Sequence, residues 1–122
     1  MKDFRNIFIF DDDKTHRMML NVVFNSWGYT AFAAGSEVDV LKTILDRRVD
    51  LIIMDIDAVR QSDMEDLMRI MAAEPLKPVI FMTSYSPKNQ IAELKKTGAL
   101  EVLVKPIKLE DLETIFRTAS EK

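Results

Sequence analysis

Five short apolar runs set the first limit on how this chain folds. They are Ile7-Phe8-Ile9-Phe10, Tyr29 to Ala33, Leu51-Ile52-Ile53-Met54, Val79-Ile80-Phe81-Met82 and Leu100 to Val104. Four of them are nearly all apolar instead of alternating with polar residues. Such strands have both faces covered, as in a parallel sheet with helices on each side. Tyr29 to Ala33 is interrupted by Thr30 and suits a strand nearer an edge. Between the runs the apolar spacing becomes helical. Leu20, Val23, Phe24 and Trp27 fall at i, i+3, i+4, i+7, as do Met64, Leu67, Met68 and Met71, and again Leu112, Ile115, Phe116 and Ala119.

Local signals mark where these helices begin and end. Ser62-Asp63-Met64-Glu65 reads as a capping box, and Ser86-Pro87 as an N-cap followed by proline in the first helical position. Gly28 and Gly98 stand where the first and fourth helices should stop. Strand and helix alternating five times predict an α/β fold, a doubly wound five-stranded parallel sheet with helices on both faces. Right-handed crossovers leave few topologies, and the flavodoxin-like order 2-1-3-4-5 is the one expected. No repeat or low-complexity linker interrupts the 122 residues, so residues 1–122 read as one domain.

Composition narrows the function. There is no cysteine, which excludes disulfides and thiolate metal ligands, and the formal net charge of −3 argues against a general nucleic-acid surface. The first apolar run is too short for a signal peptide or membrane span, so a cytoplasmic protein is expected. Eight methionines are many for the length, and helical spacing makes most of them core filler.

The chemistry lies in what the strands end on. In an open parallel sheet, ligands bind beyond the carboxyl ends of the strands, at the switch in strand order. The first run ends on Asp11-Asp12-Asp13 and the third on Asp55, with Asp57 two residues on. The fourth ends on Thr83-Ser84 and the fifth on Lys105-Pro106. Neighbouring strands lie about 4.8 Å apart, so these groups should share one pocket. Clustered carboxylates repel, and either their pKa values rise or a cation binds. A hard cation such as Mg²⁺ suits oxygen ligands, and a lysine and a hydroxyl opposite it would cradle an anion. The set looks like a phosphoryl site in which a carboxylate attacks. Taken singly, each piece has a plainer role: Asp12 or Asp13 caps the first helix, and Lys105-Pro106 is a solvated turn.

With these motifs the chain resembles the receiver domains of bacterial two-component response regulators over essentially its whole length. Asp11 and Asp12 match the acidic pair, Asp55 the phosphoacceptor, Thr83 the hydroxyl residue and Lys105 the lysine. The Lys105-Pro106 bond is often cis in that family. The resemblance implies that Asp12 and Asp55 bind Mg²⁺ directly, that Asp57 adds a backbone carbonyl, and that Asp11 acts through water. It further implies a signalling phosphoacceptor, not a turnover enzyme, whose phosphoryl group comes from a sensor histidine kinase or phosphotransfer protein. A downstream protein partner follows, without direct contact to nucleic acid or membrane, as does a homodimer through the fourth helix, fifth strand and fifth helix.

The chain departs from that pattern in the relay. Ala58 and Val59 stand where Met-Pro is usual, Asp63 where glycine is usual, and Ser84 where alanine is usual after the hydroxyl residue. Val102 replaces the aromatic that rotates inward on activation, so readout through the backbone of residues 83–86 and the fourth helix is expected. Tyr85 and Asp57 occupy positions that in the family tune dephosphorylation. His16, the only histidine, reads as a surface residue of the first helix, and Trp27 as helix-end core.

Three other readings compete. Asp55-Ile56-Asp57-Ala58-Val59 also matches the nucleophile motif of haloacid-dehalogenase-like phosphatases. In that family, however, the acidic metal motif follows the lysine, whereas here the lysine is followed by the helix residues Glu110, Asp111 and Glu113 and Asp11 to Asp13 come first. A pseudo-receiver binding module would share the fold without the phosphorylation cycle. A flavodoxin needs Ser, Thr and Gly donors in its first loop, where Asp11-Asp12-Asp13 would repel a phosphate.

Overall fold

The computed structural model describes residues 5–35, 40–46, 48–73, 78–84, 88–96 and 98–120. Its five strands are β1 (Asn6–Phe10), β2 (Thr30–Ala34), β3 (Leu51–Asp55), β4 (Val79–Thr83) and β5 (Glu101–Val104). All neighbours pair in parallel, in the order β2-β1-β3-β4-β5. Among the described residues the helices are α1 (Lys14–Ser26), α2 (Val40–Ile44), α3 (Gln61–Ala73), α4 (Lys88–Lys96) and α5 (Leu109–Ser120), with a 3₁₀ turn at Ile56–Ala58. The predicted strand order is observed, and β2 is an edge strand as Thr30 suggests.

Two rows of side chains alternate along every strand and build two cores. Phe10, Ile52, Met54, Val79, Phe81 and Val102 face Leu67 of α3 and Leu94 of α4, with Leu41, Met64 and Ile91 packed alongside. Ile7, Ile9, Leu51, Ile53, Ile80 and Met82 face Leu20 and Phe24 of α1 and Leu112 and Phe116 of α5. Every residue of β3 and β4 is buried, because these strands have neighbours on both edges and cores on both faces. Each fully buried aliphatic or aromatic side chain contributes about 1.5–3 kcal/mol relative to exposure. β5, apolar after Glu101, forms the second edge, leaving Val104 45% exposed.

At the end remote from the acidic loops, an aromatic cluster pins α1 to α5. Phe24 stacks on Phe116 at 5.0 Å between centroids, Trp27 meets both rings edge-on, and Tyr29 approaches Phe116 at 5.3 Å. Trp27 closes α1 as its C-cap, as helix-end core should. Gly28 (φ +96°) and Gly98 (φ +93°) then reverse the chain in the left-handed region that a side chain would strain.

The α3 boundary falls differently from the sequence expectation. The helix begins at Gln61, the Met64 amide donates to the Arg60 carbonyl at 2.9 Å, and the Arg60 guanidinium meets Asp63 at 3.2 Å. Ser62 therefore lies within the first turn and is not its cap. Tyr85, Ser86 and Pro87, and the side chains of Met71 and Ala119, lie outside the described residues.

Candidate functional site

Strand parity decides which strand-end groups meet. Asp11, Asp55 and Lys105 continue the rows that face α1 and α5, whereas Thr83 continues the row that faces α3 and α4. The Lys105 ammonium accordingly sits between two carboxylates, 2.8 Å from Asp55 Oδ2 and 3.4 Å from Asp11 Oδ1. Asp11 is completely buried and Asp55 is 4% exposed. The Lys105-Pro106 bond is cis, and the Lys105 amide donates to the Thr83 carbonyl at 2.8 Å, tying the ends of β4 and β5.

The loop after β1 serves Asp11 with further partners. Its Oδ1 accepts from the Asp13 amide at 2.9 Å, and Asp13 in turn caps α1 by accepting from the His16 amide at 3.1 Å. His16 then folds back, placing its Nδ1 against Asp11 Oδ2, with its ring mostly covered and its Nε2 buried. The surface reading of His16 is thus corrected: the cap starts the helix so early that His16 falls in the first turn, against Asp11. Arg17 donates from Nη1 to the Asp11 carbonyl at 2.8 Å, a contact for which the sequence carries no signal beyond proximity. Asp12 is exposed at the mouth of the site.

Asp57 faces the other way. Its amide donates to Asp55 Oδ1 at 3.0 Å, while its carboxylate reaches across to β4. Oδ1 accepts from the Thr83 hydroxyl at 2.9 Å, and Oδ2 accepts from both the amide and the hydroxyl of Ser84 at 2.7 Å. The site therefore has two corners that share one turn of chain, Asp55 to Asp57.

Electrostatics separate the carboxylates. Burial pushes the Asp55 carboxyl above its ordinary range, more than Lys105 pulls it down. Burial also acts on Asp11, but His16, the Asp13 amide and Lys105 together bring it below that range. Burial would raise Asp57 as well, and the hydrogen bonds from Ser84 and Thr83 override it to keep this group ionised. Burial works against the Lys105 ammonium, yet Asp55 and Asp11 hold its proton more tightly than usual.

The donor set fits a hard divalent cation in chemistry: carboxylate oxygens from two adjacent strands, two of them buried and sharing a single ammonium. Among the described residues, no three acidic or histidine side chains converge on one point, since Asp11 and Asp55 turn to Lys105 and Asp57 turns to Ser84.

Buried carboxylates, a lysine and a hydroxyl at the switch point of an open parallel sheet define the class: a doubly wound α/β domain with a charged site at its strand ends. The profile of the response regulator receiver domain matches residues 7–117, and the chain belongs to that family. It is 33% identical over 106 residues to sporulation initiation phosphotransferase F of Bacillus subtilis (strain 168), covering 87% of this chain and 86% of that protein. It is 32% identical over 114 residues to the transcriptional regulatory protein ZraR of Escherichia coli O157:H7, covering 93% of this chain and 26% of the relative. The chain thus spans about a quarter of the ZraR length. Its fold superimposes on the solution structure of a response regulator protein from Burkholderia multivorans with a TM-score of 0.81, at 24% identity and over 98% of each chain. Membership of this family displaces the phosphatase and flavodoxin readings.

Proposed function

We propose that this chain acts as one receiver domain in which Asp55 accepts a phosphoryl group from the phosphohistidine of a sensor kinase or phosphotransfer protein. A carboxylate oxygen of Asp55 attacks phosphorus, the P–N bond breaks, and the freed imidazole takes up a proton. The observation that carries the reading is Lys105, whose ammonium lies 2.8 Å from Asp55 and within reach of oxygens transferred to it. Thr83 supplies a hydroxyl from the neighbouring strand end. Asp12, Asp55 and the backbone carbonyl of Asp57 would hold Mg²⁺, with Asp11 acting through water. When bound, the cation neutralises charge on the transferring oxygens.

The chain is then a phosphoacceptor that changes its own covalent state and does not turn over substrate. Its output is a change of protein partners, carried by the face of α4, β5 and α5. Leu100, Val104 and Leu109 lie on or beside these elements with 37%, 45% and 44% of their surface exposed, which supports a partner or a second copy there. No helix among the described residues is long and apolar enough to cross a membrane, and the cytoplasm is the proposed compartment.

Incubation with acetyl phosphate or phosphoramidate and Mg²⁺, followed by mass spectrometry, tests the reading. One phosphoryl group should add to the wild-type chain and none without the cation. A chain that folds and binds Mg²⁺ yet takes no label would be a pseudo-receiver.

A further inference from the structure

The Asp57 carboxylate takes its hydrogen bonds from the end of β4 instead of from Lys105, and these partners are unusual in kind. It takes the Thr83 hydroxyl on one oxygen and the amide and hydroxyl of Ser84 on the other. All three are donors suited to an anion at the end of β4. A hydroxyl carries one proton and an amide one proton, so neither can donate linearly to a second anion while it serves Asp57.

We propose that the Asp57 carboxylate is an internal competitor for the donors that a phosphoryl group on Asp55 needs, and that Asp57 and Ser84 together latch the domain in its resting state. This rests on Asp55 being the phosphoacceptor. The latch is placed to feel that event, because the Asp57 amide donates to Asp55 Oδ1 at 3.0 Å. A dianionic group on Asp55 repels the carboxylate two residues away and attracts the donors it holds. The carboxylate also borders an open cavity of about 250 Å³ lined by Ile56, Val59, Met64, Met68 and Glu93, which gives its side chain room to leave. Glu93 makes that cavity a poor resting place for a second negative charge, so the carboxylate returns to Ser84 when the phosphoryl group is lost. Ser84 is integral to the device: its hydroxyl, absent from the alanine usual at this position, adds one donor to the latched state at 2.7 Å.

The test is the affinity for beryllofluoride, a phosphoryl mimic, at saturating Mg²⁺ in Ser84→Ala, Asp57→Ala and the double variant. Mg²⁺ affinity is titrated separately, since every variant keeps the Asp57 carbonyl. Removing the latch should tighten beryllofluoride about tenfold in Asp57→Ala and about threefold in Ser84→Ala, with the double variant no tighter than Asp57→Ala. The Ser84 amide resonance should move upfield in Asp57→Ala without any ligand, a change that altered metal binding would not produce. Ser84→Ala, at an exposed position, keeps the test intact even where Asp57→Ala fails to fold. Unchanged or weaker beryllofluoride binding in Ser84→Ala, with wild type binding normally, overturns the latch and leaves the phosphoacceptor intact. A folded wild type that binds Mg²⁺ but no beryllofluoride overturns both.

Discussion

The two corners of the strand-end site are built on opposite physics. At the β1–β3 corner, Asp11 and Asp55 are buried and share the Lys105 ammonium, a charge arrangement that burial makes costly to break. At the β4 corner, Asp57 and Ser84 are exposed and joined by hydrogen bonds that water can replace. The first corner has the fixed geometry that the proposed chemistry needs. The second, held by exposed hydrogen bonds, suits the exchange of partners that the proposed latch requires. Asp55 to Asp57 belongs to both and couples them through a single turn of chain.

The sharpest way to break this comparison is to ask which aspartate takes the label. Asp55→Asn should abolish phosphorylation by small donors, whereas Asp57→Asn should still accept one phosphoryl group. Mass spectrometry of the two variants decides it. Label on Asp57 would move the chemistry to the exposed corner and reverse the assignment.

Lys105→Met attacks the buried corner directly. It leaves two carboxylates without their shared cation, at a cost to stability of about 2 kcal/mol, below the roughly 3–5 kcal/mol of a sealed pair because the lysine side chain is 19% exposed. Mg²⁺ should recover most of that loss by binding only the folded state. Urea titrations with and without the cation measure both quantities. A loss that Mg²⁺ does not recover would show that the carboxylates do not form its site.

How much of this was legible in the sequence follows from the same two corners. The apolar runs and their helical intervals lead to the sheet, its order and its edge at β2, because burial on two faces writes itself into composition. Parity, too, was there to be read: counting by twos from Ile7, Leu51 and Leu103 reaches Asp11, Asp55 and Lys105. Counting from Val79 reaches Thr83 on the other side. The partners of Asp57 were not legible, since a 3₁₀ turn has no two-residue alternation to project. His16 was misread because its burial depends on Asp13 being the cap, a choice between adjacent aspartates that spacing alone leaves open. The fifth run looked as buried as the others, and only its place at the end of the strand order exposes Val104.

Val102 sharpens the comparison from the output side. Its side chain is buried on the α3–α4 face, so Val102→Ala should cost about 1 kcal/mol by cavity formation. Yet readout is expected through the backbone of residues 83–86 and the fourth helix, and the Lys105 amide is bonded to the Thr83 carbonyl at the start of that segment. Beryllofluoride should therefore shift the Ser84 and Lys105 amides equally in Val102→Ala and wild type. NMR is the suitable probe, because Trp27 closes the far end of the 13-residue α1, about 20 Å away. Shifts lost in the variant would assign readout to the side chain.

The smallest expected effect concerns the partner that guards Asp11. Its carboxylate is engaged by the Asp13 amide, by Lys105 and by His16. A cation drawing on Asp11 through water competes with each of them. The amide is fixed by the turn, and Lys105 has Asp55 to retain it, so His16 is the partner most easily dispensed with. His16→Ala should tighten Mg²⁺ about threefold, worth less than about 1 kcal/mol. Arg17→Ala is the matched control: its guanidinium binds the Asp11 carbonyl and not the carboxylate, so Mg²⁺ affinity should stay within about twofold. Calorimetric titration of both variants reads the difference. Equal affinities in His16→Ala and wild type would mean that Asp11 serves the cation without leaving its histidine, making His16 a fixed wall of the buried corner.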